Sequence, residues 1–199
     1  MKKQISAIII DVGGVLYHPD TSPRKKWVER LGISERELAE IVFNNAVTNK
    51  AKIGDATPDE IWQEVQNVLN LLPYEVDQLK VDMWKGHWDI DLLNLLRQYK
   101  GKYKLATMSD AWPDARENIK EYVNYDLFDV ILFSAEEGLT KPASRFYEMA
   151  AMKMDVSPKE CIFIDDNIDN VRGAVAIGMK GIQYVDGDQI KKEIMNVLT

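Results

Sequence analysis

Ile5-Ser6-Ala7-Ile8-Ile9-Ile10-Asp11-Val12-Gly13-Gly14-Val15-Leu16 decides the reading of the chain. Six residues, mostly isoleucine, run without alternation and stop at an aspartate followed by two glycines. An unbroken apolar run of this length reads as a strand buried on both faces that empties into a tight loop. The same pattern returns at Lys104–Met108, Val130–Phe133, Cys161–Ile164 and Gly181–Val185. Helix-like stretches separate most of these runs, at 90–99, 113–122, 145–154 and 168–177, and a closing helix is expected near 188–198. Alternation of this kind predicts an α/β fold: a Rossmann-like, doubly wound parallel sheet with helices on both faces.

Residues 17–87 break the rhythm. They contain no convincing strand and several helix starts. Ser34 with Glu37 fits a capping box, as does Thr57-Pro58-Asp59-Glu60, and Pro73 opens a further helix. The segment therefore reads as an α-helical module inserted after the first strand, burying Ile41, Val42, Ile61, Trp62, Val65 and Leu69. The expected organisation is a core of 1–16 and 88–199 with a helical cap at 17–87. Arg24, Lys25 and Lys26 form a small basic cluster at the start of the module. It reads as a solvated face, or as the place where one cation meets an anionic substrate.

The chain has 199 residues, 46% of them apolar, and a formal net charge of -7, with a pI near 5.0. That length suits one α/β domain with a small accessory module. The acidity disfavours nucleic acid as a partner, because phosphate backbones reward Lys and Arg. No run approaches the roughly 20 apolar residues that cross a bilayer, so no membrane association is expected. Two lysines before the first apolar run superficially suggest a signal peptide, but the run is short and no cleavage site follows. Cys161 is the single cysteine, so no intrachain disulfide can form. A reducing, cytoplasmic setting is expected.

Ligands of open α/β sheets bind beyond the C-terminal strand ends, at the topological switch point. Four groups stand at or near such ends. Asp11 is placed to act as a carboxylate nucleophile, and Gly13 and Gly14 allow backbone to approach a ligand; alone, the residues also fit a turn with an Asp cap. Thr107-Met108-Ser109-Asp110, ahead of Pro113 and a helix, supplies a hydroxyl and free N–H groups for an anion, or a simple helix cap. Lys141, before Pro142, brings an ammonium that would offset the charge of a carboxylate beside a phosphate, or is a surface lysine. Asp165-Asp166, with Asp169 nearby, are costly side by side without a cation, and hard oxygen ligands suit Mg²⁺; the alternative is a charged helix N-terminus.

Taken together, Asp11-Val12-Gly13-Gly14-Val15-Leu16, Ser109, Lys141-Pro142 and Asp165-Asp166 with Asn170-Val171-Arg172-Gly173-Ala174 resemble the four motifs of the haloacid dehalogenase superfamily. The inserted helices resemble its small helical cap. The resemblance implies an Mg²⁺-dependent hydrolase acting on a small phosphorylated metabolite through an aspartyl-phosphate on Asp11. It implies Mg²⁺ ligation by Asp11, the Gly13 carbonyl and Asp166, with Asp165 a second ligand or an outer partner and Asp169 fixing a metal-bound water. Ser109 would hold phosphate oxygens beside Gly13, Gly14, Asp110 and Lys141, and Ser109 and Lys141 would act with Asp11 in catalysis.

Two departures stand out. Gly13 occupies the position where phosphatases of the family usually carry a second aspartate, the acid–base group; His18 and Asp20 are nearby substitutes, or surface loop residues. Asp110 stands where Asn is common. Gly13 also permits a 2-haloacid dehalogenase reading, in which Asp11 attacks carbon, although the Asp165–Asp166 pair would repel a haloacid. A third reading is a catalytically weak protein that binds a phosphorylated ligand. His87 is expected at the junction of cap and core. Trp84, Trp88 and Trp112 are expected to pack, with Trp112 near enough to Ser109 to touch substrate.

Overall fold

The computed structural model describes residues 4–120 and 125–198. The chain begins with β1 (Ala7–Ile10) and a short β2 (Tyr17–Pro19). Five helices follow: α1 (Lys25–Leu31), α2 (Glu35–Phe43), α3 (Ala46–Ala51), α4 (Pro58–Leu69) and α5 (Pro73–Met83). Next come β3 (Gly86–Trp88), α6 (Ile90–Tyr99), β4 (Lys104–Ser109), α7 (Ala115–Ile119), β5 (Val130–Phe133) and α8 (Ser134–Glu137). The rest is α9 (Ser144–Lys153), β6 (Cys161–Asp165), α10 (Ile168–Ala176), β7 (Lys180–Gln183) and α11 (Gly187–Leu198).

Five strands form one parallel sheet in the order β5-β4-β1-β6-β7. The chain winds outward from β1 through β4 to β5, then crosses back to β6 and β7. The reversal falls beside β1, where crossover connections leave a crevice above the strand ends. Ile8, Ile9 and Ile10 are fully buried, each contributing about 1.5–3 kcal/mol of burial energy. Alternate residues serve opposite faces: Ile8 and Ile10 pack with Leu92, Leu96, Ile190 and Ile194 of α6 and α11. Ala7 and Ile9 pack with Phe146, Tyr147 and Ala174 of α9 and α10. The expected doubly wound α/β sheet is therefore present.

The helices α1–α5 share a separate apolar cluster that includes Trp27, Leu38, Val42, Ile61, Trp62, Val65 and Leu79. Of the residues expected inside, Val42, Ile61, Trp62 and Val65 are buried, while Ile41 and Leu69 pack at the edge. Both expected capping boxes form, Ser34 with Glu37 and Thr57 with Glu60. Trp112 joins this cluster from the β4 side and touches Phe43, Trp62 and Trp84.

The expectation that 17–87 lacks strands is corrected. β2 and β3 pair antiparallel, with His18 opposite His87 and Tyr17 opposite Trp88. Three-residue strands are too short to show period-two alternation, and their partners lie at opposite ends of the helical segment, so no local signal announces them. The expected strand 181–185 is Lys180–Gln183 instead, leaving Val185 exposed. The expected helix 113–122 is described over Ala115–Ile119; residues 121 and 122 of that expectation lie outside the described residues. Among the described residues, no helix is long and apolar enough to cross a membrane.

Candidate active site

The register of the central strands brings the sequence-predicted carboxylates together. Ile10 pairs with Ile164, and the Asp11 N–H donates to the Ile164 carbonyl at 2.9 Å, so Asp11 comes level with Asp165 at the end of β6. Asp11, Asp165 and Asp166 each place a carboxylate oxygen within 4.8 Å of the others.

Lys141 reaches this cluster from the loop before α9. Its Nζ lies 2.8 Å from Asp11 Oδ2 and 2.7 Å from Asp165 Oδ2, and all three side chains are nearly closed to solvent. The loop is itself anchored, because the Lys141 N–H donates to Asp110 Oδ1 at 2.9 Å. Asp110 thus holds the lysine loop from the end of β4. Burial works to lower the Lys141 pKa, but Asp11, Asp165 and Asp110 outweigh it and hold the ammonium above its ordinary pKa.

The two aspartates of β6 differ. Asp165 is fully buried. Besides Lys141, its carboxylate accepts from the Asn167 N–H at 2.9 Å and from Asn170 Nδ2 at 3.0 Å. The Asn170 carbonyl in turn accepts from the Tyr147 hydroxyl at 2.9 Å. Asp165 is therefore largely committed to protein donors. Asp166 is more exposed and folds over Gly14: a Cβ on that glycine would lie 2.7 Å from Asp166 Cγ. Its carboxyl pKa is raised by burial and by Asp165.

Asp11 is pushed up to about 7, first by burial and then by Asp165, against the pull of Lys141. Asp11 Oδ1 accepts from the Val12 N–H at 2.7 Å, which fixes the carboxylate's rotation. Three carboxylates facing the Lys141 ammonium leave excess negative charge. An oxygen-rich cluster with net negative charge fits a hard divalent cation, with Asp11 and Asp166 the better-exposed donors.

Ser109 ends β4 and is nearly buried, opposite Phe133. Next to it, Ser134 Oγ accepts from the Ala111 N–H at 2.9 Å, tying the loop after β4 to the end of β5. Gly13 borders open space: a Cβ at that position would meet nothing within 4 Å. Other candidates fall elsewhere. Asp169 is exposed and pairs with Arg172 at 3.0 Å. His18 faces the Tyr184 hydroxyl at 3.3 Å and stacks near His87 on the β2–β3 ribbon. Asp20 caps Ser22. In the basic cluster, Lys26 is bound to Asp82 at 2.6 Å and Arg24 donates to the Met83 carbonyl at 3.0 Å. Sequence reasoning quoted Asn170 only as part of the fourth motif and gave Tyr147 no role; their contacts with the carboxylate cluster depend on how α9 and α10 pack.

The fold and its carboxylate cluster define an α/β protein with an acidic centre at the sheet's switch point. Residues 5–178 match the haloacid dehalogenase-like hydrolase family model, and the chain belongs to that family. A sesquiterpene phosphatase of Aspergillus oryzae is 29% identical over 187 residues, covering 90% of each chain. A phosphatase of Mycobacterium tuberculosis is 29% identical over 185 residues, covering 88% of this chain and 85% of its own. A solved family enzyme from Bacteroides thetaiotaomicron, in complex with magnesium and inorganic phosphate, superposes with a TM-score of 0.76. It is 20% identical and covers 92% of this chain and 96% of its own.

Proposed function

We propose that this hydrolase is an Mg²⁺-dependent phosphomonoesterase acting on a small phosphorylated metabolite, with Asp11 as nucleophile. The observation that carries the reading is the Asp11–Lys141–Asp165 chain of contacts, closed by Asp166 on the open side. The phosphatase relatives support the reaction class, and the magnesium and phosphate bound by the Bacteroides enzyme support the cofactor.

In this reading Asp11 attacks phosphorus while the ester P–O bond breaks, giving an aspartyl-phosphate that water then hydrolyses. Lys141 holds Asp11 in position and offsets the charge that gathers as phosphate approaches. Ser109 and a free backbone N–H after β4 hold phosphate oxygens, the Ala111 N–H being already bonded to Ser134 Oγ. Asp165 fixes Lys141. Asp11, Asp166 and the Gly13 carbonyl would hold Mg²⁺, which supplies charge neutralisation for phosphoryl transfer. Residues 17–87 act as the cap that excludes water and selects the substrate. With glycine at position 13, protonation of the leaving group has no side chain there, which favours substrates with good leaving groups.

The test is hydrolysis of p-nitrophenyl phosphate with Mg²⁺, followed by a panel of phosphorylated metabolites. Asp11→Asn should abolish turnover with the fold intact by circular dichroism; undiminished activity would put the nucleophile elsewhere. A haloacid panel run in EDTA separates the dehalogenase reading, which predicts halide release without metal.

A further inference from the structure

Lys52 follows the last turn of α3, in the segment after the first strand. The residues behind it are pressed against the core. Gly54 has φ +83°, and a Cβ there would lie 2.6 Å from the Ala135 carbonyl, so only a glycine lets the turn sit this close. Ala135 follows Ser134, the residue that holds Ala111 just beyond Asp110. One ledge at the end of β5 thus fixes both the Lys52 turn and the loop that carries Asp110.

A second thread leads to the same place. Lys52 Nζ reaches Asn44 Oδ1 at 3.4 Å. Asn44 follows Phe43, whose ring centroid lies 6.0 Å from that of Trp112, two residues past Asp110. Lys52 therefore belongs to the part of the helical segment that packs against the loop after β4, and Asp110 is the strongest charge acting on its ammonium.

Its ammonium is under-partnered. Lys26, Lys85 and Lys141 all have carboxylates within 3 Å. Among the described residues, none lies within 4.0 Å of Lys52, and its one hydrogen bond is long. Lys52 is half-buried. Burial lowers its pKa, while Asp110 and Glu40 act the other way from a distance. Asp110 Oδ1 already accepts from the Lys141 N–H at 2.9 Å, and neither Asp110 oxygen lies within 4.0 Å of Lys52 Nζ.

We infer that the Lys52 ammonium receives a second anionic group, carboxylate or phosphate, of a substrate whose ester phosphate lies at Asp11. This rests on the reading of Asp11 as the phosphate-facing nucleophile. It narrows the substrate class to phosphomonoesters that carry another negative charge. A partly desolvated lysine makes charge-assisted hydrogen bonds to such a group that a neutral substrate would forgo.

The experiment compares matched ligands. 3-Phosphoglycerate differs from glycerol 3-phosphate by a carboxylate in place of a hydroxymethyl group. Fructose 1,6-bisphosphate differs from fructose 6-phosphate by a second phosphate. KM is measured on the Lys52 protein, and Kd by calorimetry with Mg²⁺ on the D11N protein. At least one pair should favour the more charged member by about ten- to a hundredfold, the range of a charge-assisted hydrogen bond; which pair does so tells carboxylate from phosphate. Lys52→Met should collapse that ratio towards one, and Lys52→Arg should keep most of it. No preference in the Lys52 protein, or a ratio unchanged in Lys52→Met, would overturn the inference. A preference retained in Kd, with no hydrolysis of p-nitrophenyl phosphate or of any metabolite in the panel, would support this inference and overturn the hydrolytic reading alone.

Discussion

The Asp166 carboxylate occupies the space that a side chain at position 14 would need. A Cβ on Gly14 would lie 2.7 Å from Asp166 Cγ and closer still to Oδ2, and Gly14 also has φ +80°. Glycine is thus required twice over, by backbone conformation and by the neighbouring acid. Gly14→Ala should displace Asp166 and raise the Mg²⁺ concentration needed for half-maximal hydrolysis, as Asp166→Ala should. A magnesium titration unchanged in both variants would remove Asp166 from the ligand set.

Position 13 is the reverse case. A Cβ there meets nothing within 4 Å, and its backbone lies outside the left-handed region. Gly13→Asp should therefore fold normally and place a carboxyl beside Asp11. If this restores general acid help, hydrolysis of alkyl phosphates should gain by up to ~10²-fold over the parent, with aryl phosphates gaining less. Equal responses from aryl and alkyl phosphates would show that position 13 does not face the leaving group.

Gly173 packs α10 onto the loop that carries Lys141. A Cβ there would lie 2.8 Å from Pro142 Cβ and 3.1 Å from Tyr147 Cε2. Gly173→Ala should cost about 1–3 kcal/mol of stability by overpacking, read as a lower urea midpoint, and should weaken activity by shifting Lys141. A variant as stable and as active as the parent would mean that the loop yields freely.

Asp82 gives the fold an acid-sensitive contact. Its carboxylate lies 2.6 Å from Lys26 Nζ, 2.9 Å from Lys85 Nζ and 2.9 Å from Trp27 Nε1. Burial works to raise its pKa, but these donors prevail and bring it from 3.8 to about 2. A folded pKa below the unfolded one gives stability that is full above the unfolded value and lost as pH falls through the folded one. Urea midpoints should therefore drop between pH ~4 and ~2, and the Asp82→Asn protein should show a shallower drop over that window. Parallel curves for the two proteins would assign the acid sensitivity to other carboxylates.

Much of the site was legible in the linear chain because its signals are local. An apolar run ending in Asp11-Val12-Gly13-Gly14, another ending in Asp165-Asp166, and a lysine ahead of Pro142 each announce a strand end or loop without help from distant residues. The capping boxes at Ser34 and Thr57 are local for the same reason: cap and partner lie three residues apart on one turn. The β2–β3 ribbon was not legible, because its pairing joins residues at the two ends of the helical segment.

Sequence alone determined that buried strands alternate with helices and that carboxylates stand at their ends, since burial periodicity and turn chemistry are written in neighbouring residues. Tertiary structure alone decided how those carboxylates divide the work. Asp165 is held by Lys141 and Asn170, while the adjacent Asp166 stays open over Gly14. It also decided that Lys26 is consumed by Asp82 while Lys52 keeps no close carboxylate among the described residues. The reason is electrostatic: which charge is compensated depends on three-dimensional distance and desolvation, and neither follows from spacing along the chain.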